Sequence, residues 1–265
     1  RFQRLLNEPQ AMFGTFFAHF PFIGGLIDRL TELIARLERN FIKMGMFVQV
    51  LIDDHLDPKR PKPELEDIPD VLQMWSDGSN IQLTWDHIKG ILTDIVVAGT
   101  DTTGTIVTWA MKLQMKMFKT YLKAVVKEIM RLHQVDPLIP RQTTQSCKLH
   151  GHDIPAKSLV YINALAIGRD PEENPEEFFN PNMFIDSFID LNDRYSRFIP
   201  FGGVHRICPR INLGIAIVYL TLSYLLYKFD WIPTRVIRED LDLEVFTKIT
   251  MHKKRHIHLS AKGHI

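Results

Sequence analysis

The stretch FIPFGGVHRICPR, residues 198–210, decides how the chain is read. Cys208 follows a glycine-containing loop and precedes an apolar run, INLGIAIVYLTLSYLLYKFD (211–230), whose composition predicts a helix. Pro209 suits the first helical position, where no backbone N–H is needed. A cysteine at that point faces the positive end of a helix, which favours the thiolate. Thiolate is the form that binds metal. Two accounts stay open on these residues alone: a metal ligand, or a buried structural cysteine, which is the commoner case.

Upstream, residues 170–200 are rich in Pro, Asn, Asp and Phe and show little periodicity. A long ordered loop of this kind usually carries function. Before it, QTTQSCKLHGHDIPAKSLVYINA (142–164) has β-branched runs broken by Gly151 and Pro155, which predicts short strands and turns. A helix is expected over about Tyr121–His133, carrying Glu128 and Arg131. Further back, a long helix should start at Thr84, whose hydroxyl can cap free N–H groups, with Asp86 at the positive dipole end. It continues through ILTDIVVAGTDTTGTIVTWAMKLQMK (91–116), apolar nearly all round, so a buried central helix is expected. Weak helix formers cluster at its middle, from Gly99 to Thr105.

Residues 26–56 place apolar side chains every three or four positions and predict a long amphipathic helix. It ends near Asp57-Pro58, and KRPKPELEDIPD (59–70) reads as a polar, Pro-rich loop. A short apolar piece, Val71–Trp75, precedes a turn at Asp77–Asn80. Phe13, Phe16, Phe17 and Phe20 recur at helical spacing, which suits a core-facing helix or a surface that dips into lipid. The tail LEVFTKITMHKKRHIHL (243–259) alternates and predicts strands.

Composition bounds these readings. The chain has 265 residues, 45% hydrophobic and 24% charged, as in an ordinary globular protein. Lys plus Arg (32) balance Asp plus Glu (31), so no global field points to nucleic acid. The two cysteines, Cys147 and Cys208, exclude a disulfide framework and suit a reducing compartment. No signal peptide or spanning helix is visible, and 11–27 is short for a membrane span. The chain opens on RFQRLLNEPQ without an initiator Met, as a fragment would. Cys147-x-x-His150-Gly-His152 has a metal-like spacing but no fourth ligand nearby.

FGGVHRICP resembles the haem-binding signature of the cytochrome P-450 family, which reads Phe, Gly, any, Gly, any, Arg, any, Cys, any, Gly. Phe201, Gly202, Arg206 and Cys208 match, while Val204 and Arg210 stand where the family has glycine. Ala98-Gly99-Thr100-Asp101-Thr102-Thr103 is similar to the family's central-helix motif. Glu128-Ile-Met-Arg131 is similar to the family's Glu-x-x-Arg pair, which braces the cysteine loop. HLDPKRPKPELEDIPDVL (55–72), DIPAKSLVYINALAIGRDP (153–171) and NPEEFFNP (174–181) resemble the plant microsomal branch, which oxidises specialised metabolites.

The resemblance implies a mainly α fold with a small β portion, the haem-proximal, C-terminal part of the P-450 fold. It implies one incomplete catalytic domain over 1–265, of which about 117–265 carries the Glu-x-x-Arg helix, the loop and the cysteine region. It implies an oxidoreductase that puts one atom of dioxygen into a small lipophilic substrate, with electrons from NADPH through a cytochrome reductase. The site implied by resemblance has Cys208 as thiolate ligand of haem iron. Arg206 and Arg141 meet the haem propionates, Phe201 lies beside the haem, Ala98, Gly99 and Thr103 line an oxygen groove, and Asp101 and Thr102 are catalytic. Glu128 and Arg131 are the structural brace. Location at the cytosolic face of the endoplasmic reticulum membrane follows by resemblance, with the anchor absent from this chain and no nucleic-acid partner.

The alternative is a degenerate, inactive member or haem-poor binding remnant. The chain is about half the family's usual length, and only Lys112–Thr120 bridge where the family has further helices and an acidic loop. The family's third brace member, an arginine, is replaced by Met183 in Pro181-Asn182-Met183-Phe184. That substitution predicts unmet acceptors at a cost of about 1–3 kcal/mol. A zinc module around Cys147 is a third reading.

Overall fold

The helices grow from the amphipathic runs, and glycine, proline and asparagine mark where they stop. The computed structural model describes residues 31–59, 67–72, 83–113, 118–170, 179–185, 198–233, 245–247, 250–253 and 257–263. The Phe13–Phe20 segment, the Asp77–Asn80 turn and most of loop 170–200 lie outside the described residues. The chain divides into two units, Arg1–Asp101 and Thr102–Ile265.

In the first unit, α1 (Leu33–Leu56) fills most of the predicted 26–56 helix. A short helix α2 spans 68–72. The helix α3 (Trp85–Leu113) begins here and runs on into the second unit. Thr84 caps it as expected. Its Oγ1 accepts the His87 N–H at 3.3 Å, and the Thr84 N–H donates back to His87 Nδ1 at 3.1 Å. Val48 and Ile52 of α1 are buried against Ile88 and Leu92 of α3, with Ile68 and Leu72 of α2 partly buried beside them.

The expected burial of α3 is corrected at its middle. Ala98, Gly99 and Thr100 are exposed, and Asp101 to Thr103 are half-buried, between the buried Leu92 and Thr105. Apolar composition predicts what a helix could bury, not whether a partner lies on each face. The weak formers do not break the helix, which is continuous from Trp85 to Leu113. Thr100 and Thr108 bond back to the carbonyls of Val96 and Gly104 at 2.7 and 2.8 Å, using hydroxyls to satisfy the turn beneath them.

The second unit is built on α4 (Phe118–Leu132). Tyr121 is non-helical (φ −137°, ψ 41°), so the regular helix begins just after the predicted start. Val125, Val126, Ile129 and Met130 of α4 are buried with Ile106, Trp109 and Ala110 of α3. Burying each large side chain contributes about 1.5–3 kcal/mol. After α4 come β1 (Leu138–Gln142), β2 (Cys147–Leu149), β3 (His152–Ile154) and β4 (Leu159–Asn163). β1 pairs antiparallel with β4, enclosing the β2–β3 hairpin. The predicted strands and turns are therefore present. Asn163 caps α5 (Ala164–Gly168), accepting the Ala166 N–H.

A 3₁₀ turn at Pro181–Phe184 leads towards the cysteine loop, and α6 (Ile211–Lys228) leaves it. By length and composition α6 could cross a membrane. Its Val218 and Leu222 are nonetheless buried in the same core as α4. The tail forms β5 (Phe229–Pro233), β6 (Val245–Thr247), β7 (Met251–Lys253) and β8 (Leu259–Gly263), paired β5–β8 and β6–β7. The architecture is mainly α with small antiparallel sheets, as the sequence implied. Neither cysteine forms a disulfide.

Candidate functional site

Cys208 is half-buried, and its N–H donates to the Phe201 carbonyl at 2.9 Å, closing the loop on itself. Phe201 packs against the main core of the second unit. Gly202 turns the loop with φ +74°, and its N–H donates to the Ile199 carbonyl at 3.1 Å. A Cβ at Gly202 would lie 3.5 Å from the Arg206 carbonyl and 3.7 Å from Arg141 Nη2. The structure thus brings Arg141, from β1, to the cysteine loop. The Arg206 side chain is exposed. Arg141 Nη1 donates to the Pro140 carbonyl at 2.8 Å.

Val204 takes φ +56° and is exposed. A β-branched residue in the left-handed region is strained by about 1–2 kcal/mol. The position needs the conformation that glycine adopts without cost. The helix starts just after Pro209, as expected: α6 begins at Ile211, and Arg210 occupies the cap position with no side-chain cap bond. The first helical bond runs from Gly214 N–H to the Arg210 carbonyl at 2.9 Å. Closure of the loop onto Phe201 holds Cys208 three residues ahead of the helix, so the helix end acts on it from farther away than sequence suggested.

The second unit also holds a buried brace. Arg131 Nε and Nη2 donate to the two oxygens of Glu128 at 2.7 and 2.8 Å, a bidentate pair with both side chains at most 1% exposed. Arg131 Nη1 also donates to the Gly168 carbonyl at 3.1 Å. The expected shortage of donors at Met183 is corrected here. The Asn180 backbone N–H donates to Glu128 Oε1 at 2.9 Å, and Met183 packs against the apolar core instead. A backbone donor serves the carboxylate that the missing arginine would have served.

Several supporting residues escaped the sequence reading. Gln134 Nε2 donates to the Pro200 carbonyl at 3.2 Å, tying the segment after α4 to the residues entering the loop. Arg169 donates to the Leu132 carbonyl from the other side, and burial with Arg131 nearby lowers its pKa. A Cβ at Gly168 would lie 3.0 Å from the Arg131 carbonyl, so only glycine fits there without movement. His133 stacks on Trp109 at 3.8 Å, and burial, with Arg169 and Lys112 nearby, pushes its pKa down to about 3. Burial raises the Asp136 pKa to about 6 against the pull of Arg141, and its Oδ1 is a buried oxygen without a hydrogen-bond partner. The backbone contacts among these leave no pattern in sequence; the run His133-Gln134-Val135-Asp136, three polar residues at a helix end, was the one available signal.

Ala98, Gly99, Asp101, Thr102 and Thr103 form one continuous stretch of α3. A Cβ at Gly99 would meet nothing within 4 Å, so no packing contact requires a glycine there. Cys147, His150 and His152 are exposed around the β2–β3 hairpin. They do not converge as a ligand set; among the described residues the group that does is His55, Asp67 and Asp70.

The chain matches the Cytochrome P450 family profile over residues 111–259, more than half its length. The chain belongs to the cytochrome P450 family. Among P450 relatives, it is 41% identical to the "5-OH-xanthotoxin synthase" of Pastinaca sativa, across all of this chain and 60% of that protein. It is 38% identical to "Cytochrome P450 71A9" of Glycine max, across 97% of this chain and 59% of the relative. The "2-methylbutanal oxime monooxygenase" of Manihot esculenta is 34% identical, across 99% and 58%. The chain therefore spans about three fifths of the length of the curated P450 relatives it matches. The first of these matches runs over 304 residues against 265 here, as an internal gap requires. P450 membership implies a thiolate-ligated haem. The donor set on the cysteine loop fits such a group: a thiol outside any disulfide, with a guanidinium on the loop and a second drawn against Gly202 for a cofactor bearing carboxylates.

Proposed function

We propose that the chain is the haem-proximal part of a monooxygenase acting on a small lipophilic substrate, with Cys208 as the thiolate that would hold the haem iron. The observation that carries this reading is the Cys208 loop itself. It closes through Cys208 N–H to the Phe201 carbonyl and carries Arg141 at its glycine turn. The names of the relatives, synthases of xanthotoxin and trihydroxycoumarin derivatives and an oxime monooxygenase, support small plant metabolites as the substrate class.

Bound at this loop, haem would supply the redox chemistry by which one atom of dioxygen enters the substrate. The chain's own residues do the rest. Cys208 sulfur would hold the metal, Arg206 and Arg141 would bind the propionate carboxylates, and Phe201 would exclude water beside the thiolate. Ala98, Gly99 and Thr103 leave room for a small diatomic along α3. The Thr102 hydroxyl and Asp101 carboxylate hold and pass the protons that dioxygen cleavage consumes. Electrons would come from NADPH through a cytochrome reductase at the cytosolic face of the endoplasmic reticulum.

The test is the carbon monoxide difference spectrum of the chain expressed with haem supply and reduced. A red-shifted thiolate band is expected, and Cys208→Ala should abolish it; a band that survives the substitution contradicts the assignment. A second reading, a haem-poor and inactive remnant, is favoured by Val204 at φ +56°. It predicts little haem retained by the unmodified chain.

A further inference from the structure

Away from the cysteine loop, the second unit holds a hydrogen-bonded bridge between α3 and the β6–β7 pair. Thr105 Oγ1 lies 3.1 Å from His252 Nδ1, and Thr250 Oγ1 lies 2.7 Å from His252 Nε2. Both threonines are buried, and His252 is half-buried. One turn further along α3, the Trp109 indole N–H donates to the Met251 carbonyl at 3.3 Å. The Met251 N–H in turn donates to the Val135 carbonyl at 2.9 Å. The start of β7 is thereby tied both to α3 and to the segment after α4. A hydroxyl both donates and accepts, so the bridge holds whichever ring nitrogen of His252 carries the proton.

Thr102, Thr105 and Trp109 stand at i, i+3 and i+7 and share one face of α3. No residue of α3 between Leu92 and Thr105 is fully buried. That stretch holds Gly99, Thr100, Thr102, Thr103 and Gly104, all poor helix formers. A Cβ at Gly99 or Gly104 would meet nothing within 4 Å. Local propensity and packing therefore fix this part of the helix weakly, and its position is set from the nearest buried residue. Leu92 lies far along the helix, while Thr105 is the next residue on the Thr102 face. Thr100 and Thr108 bond back into α3, whereas Thr105 reaches a second element.

We propose that the Thr105–His252–Thr250 bridge sets the position of the Thr102 segment of α3, which makes His252 a positioning residue. The inference rests on the reading of Thr102 and Asp101 as the proton-handling groups of a haem monooxygenase. His252 acts through Thr105: it carries the fixed position of β7, held at Met251, over to the soft part of the helix.

Two readouts on the full chain test this. Hydrogen exchange followed by mass spectrometry compares residues 102–106 of α3 with 125–130 of α4. His252→Phe keeps a ring and removes both ring nitrogens, and exchange over 102–106 should quicken about fivefold while α4 is unchanged. Thr105→Val breaks the bridge from its other end and should do the same. His252→Gln, whose amide both donates and accepts, should restore the protection. The second readout is the infrared C–O stretch of carbon monoxide on the reduced, haem-loaded chain, which senses polar groups beside the bound diatomic. His252→Phe should shift that band, and His252→Gln should return it. Unchanged exchange over 102–106 in both His252→Phe and Thr105→Val overturns the proposal, as does a quickening shared by α4. Faster local exchange with an unmoved C–O band also overturns it, leaving the bridge a purely structural tie. A chain with no thiolate band overturns the haem reading instead, and the exchange pattern then decides by itself whether His252 holds the segment.

Discussion

The Glu128–Arg131 brace and the cysteine loop each lack a residue of the P450 family's pattern, and the consequences differ. At the brace, Met183 replaces an arginine, yet Glu128 keeps two bonds from Arg131 and gains the Asn180 N–H. At the loop, Val204 replaces a glycine, and the backbone still demands φ +56°. A lost hydrogen-bond donor can be replaced by any N–H that reaches the same oxygen. A lost backbone freedom has no such substitute, because the strain belongs to the residue's own Cβ.

Breaking the brace should cost most. Arg131→Ala leaves a fully buried Glu128 without its counter-ion, and chemical denaturation should show a loss of about 3–5 kcal/mol. Relieving the loop comes next, with the opposite sign. Val204→Gly should raise stability by up to about 1–2 kcal/mol in the same assay, less the entropy glycine adds to the unfolded chain. No gain there would mean the loop pays nothing for its valine.

Asp136 sharpens the comparison through pH. Its folded pKa of about 6 lies above the ordinary 3.8. A raised acid favours the protonated fold, so this group's contribution falls as pH climbs from about 4 to about 6. Asp136→Asn should flatten that slope in a series of melting curves and leave stability below pH 4 nearly unchanged. The smallest effect is expected at Met183→Leu. It removes no polar contact and should change stability by less than about 0.5 kcal/mol, or somewhat more if the thioether fits the core closely.

The two regions also differ in how legible they were. Glu128 and Arg131 sit three apart on one helix, so their pairing follows from periodicity. The demand for a left-handed residue at 204 was legible because the position matches a glycine in the signature. The Asn180 N–H was not, since backbone donors carry no side-chain pattern and a long loop had to deliver this one. The need for glycine at 168, where an added Cβ would lie 3.0 Å from the Arg131 carbonyl, was hidden for the same reason. The α3 helix shows the converse. Its capping at Thr84 was local and readable, while the exposure of Ala98–Thr100 depends on what packs beside it. The start of α6 at Ile211 was readable too, since the apolar run begins there, just after Pro209.

We propose Cys208 as a haem thiolate ligand on a loop that Val204 strains. Haem titration of the unmodified chain, Val204→Gly and Cys208→Ala, read by electron paramagnetic resonance of the ferric state, tests it most directly. A low-spin thiolate signal is expected in the unmodified chain, with greater occupancy in Val204→Gly and no thiolate signal in Cys208→Ala. Equal haem uptake by all three, with an imidazole-type signal, would contradict it.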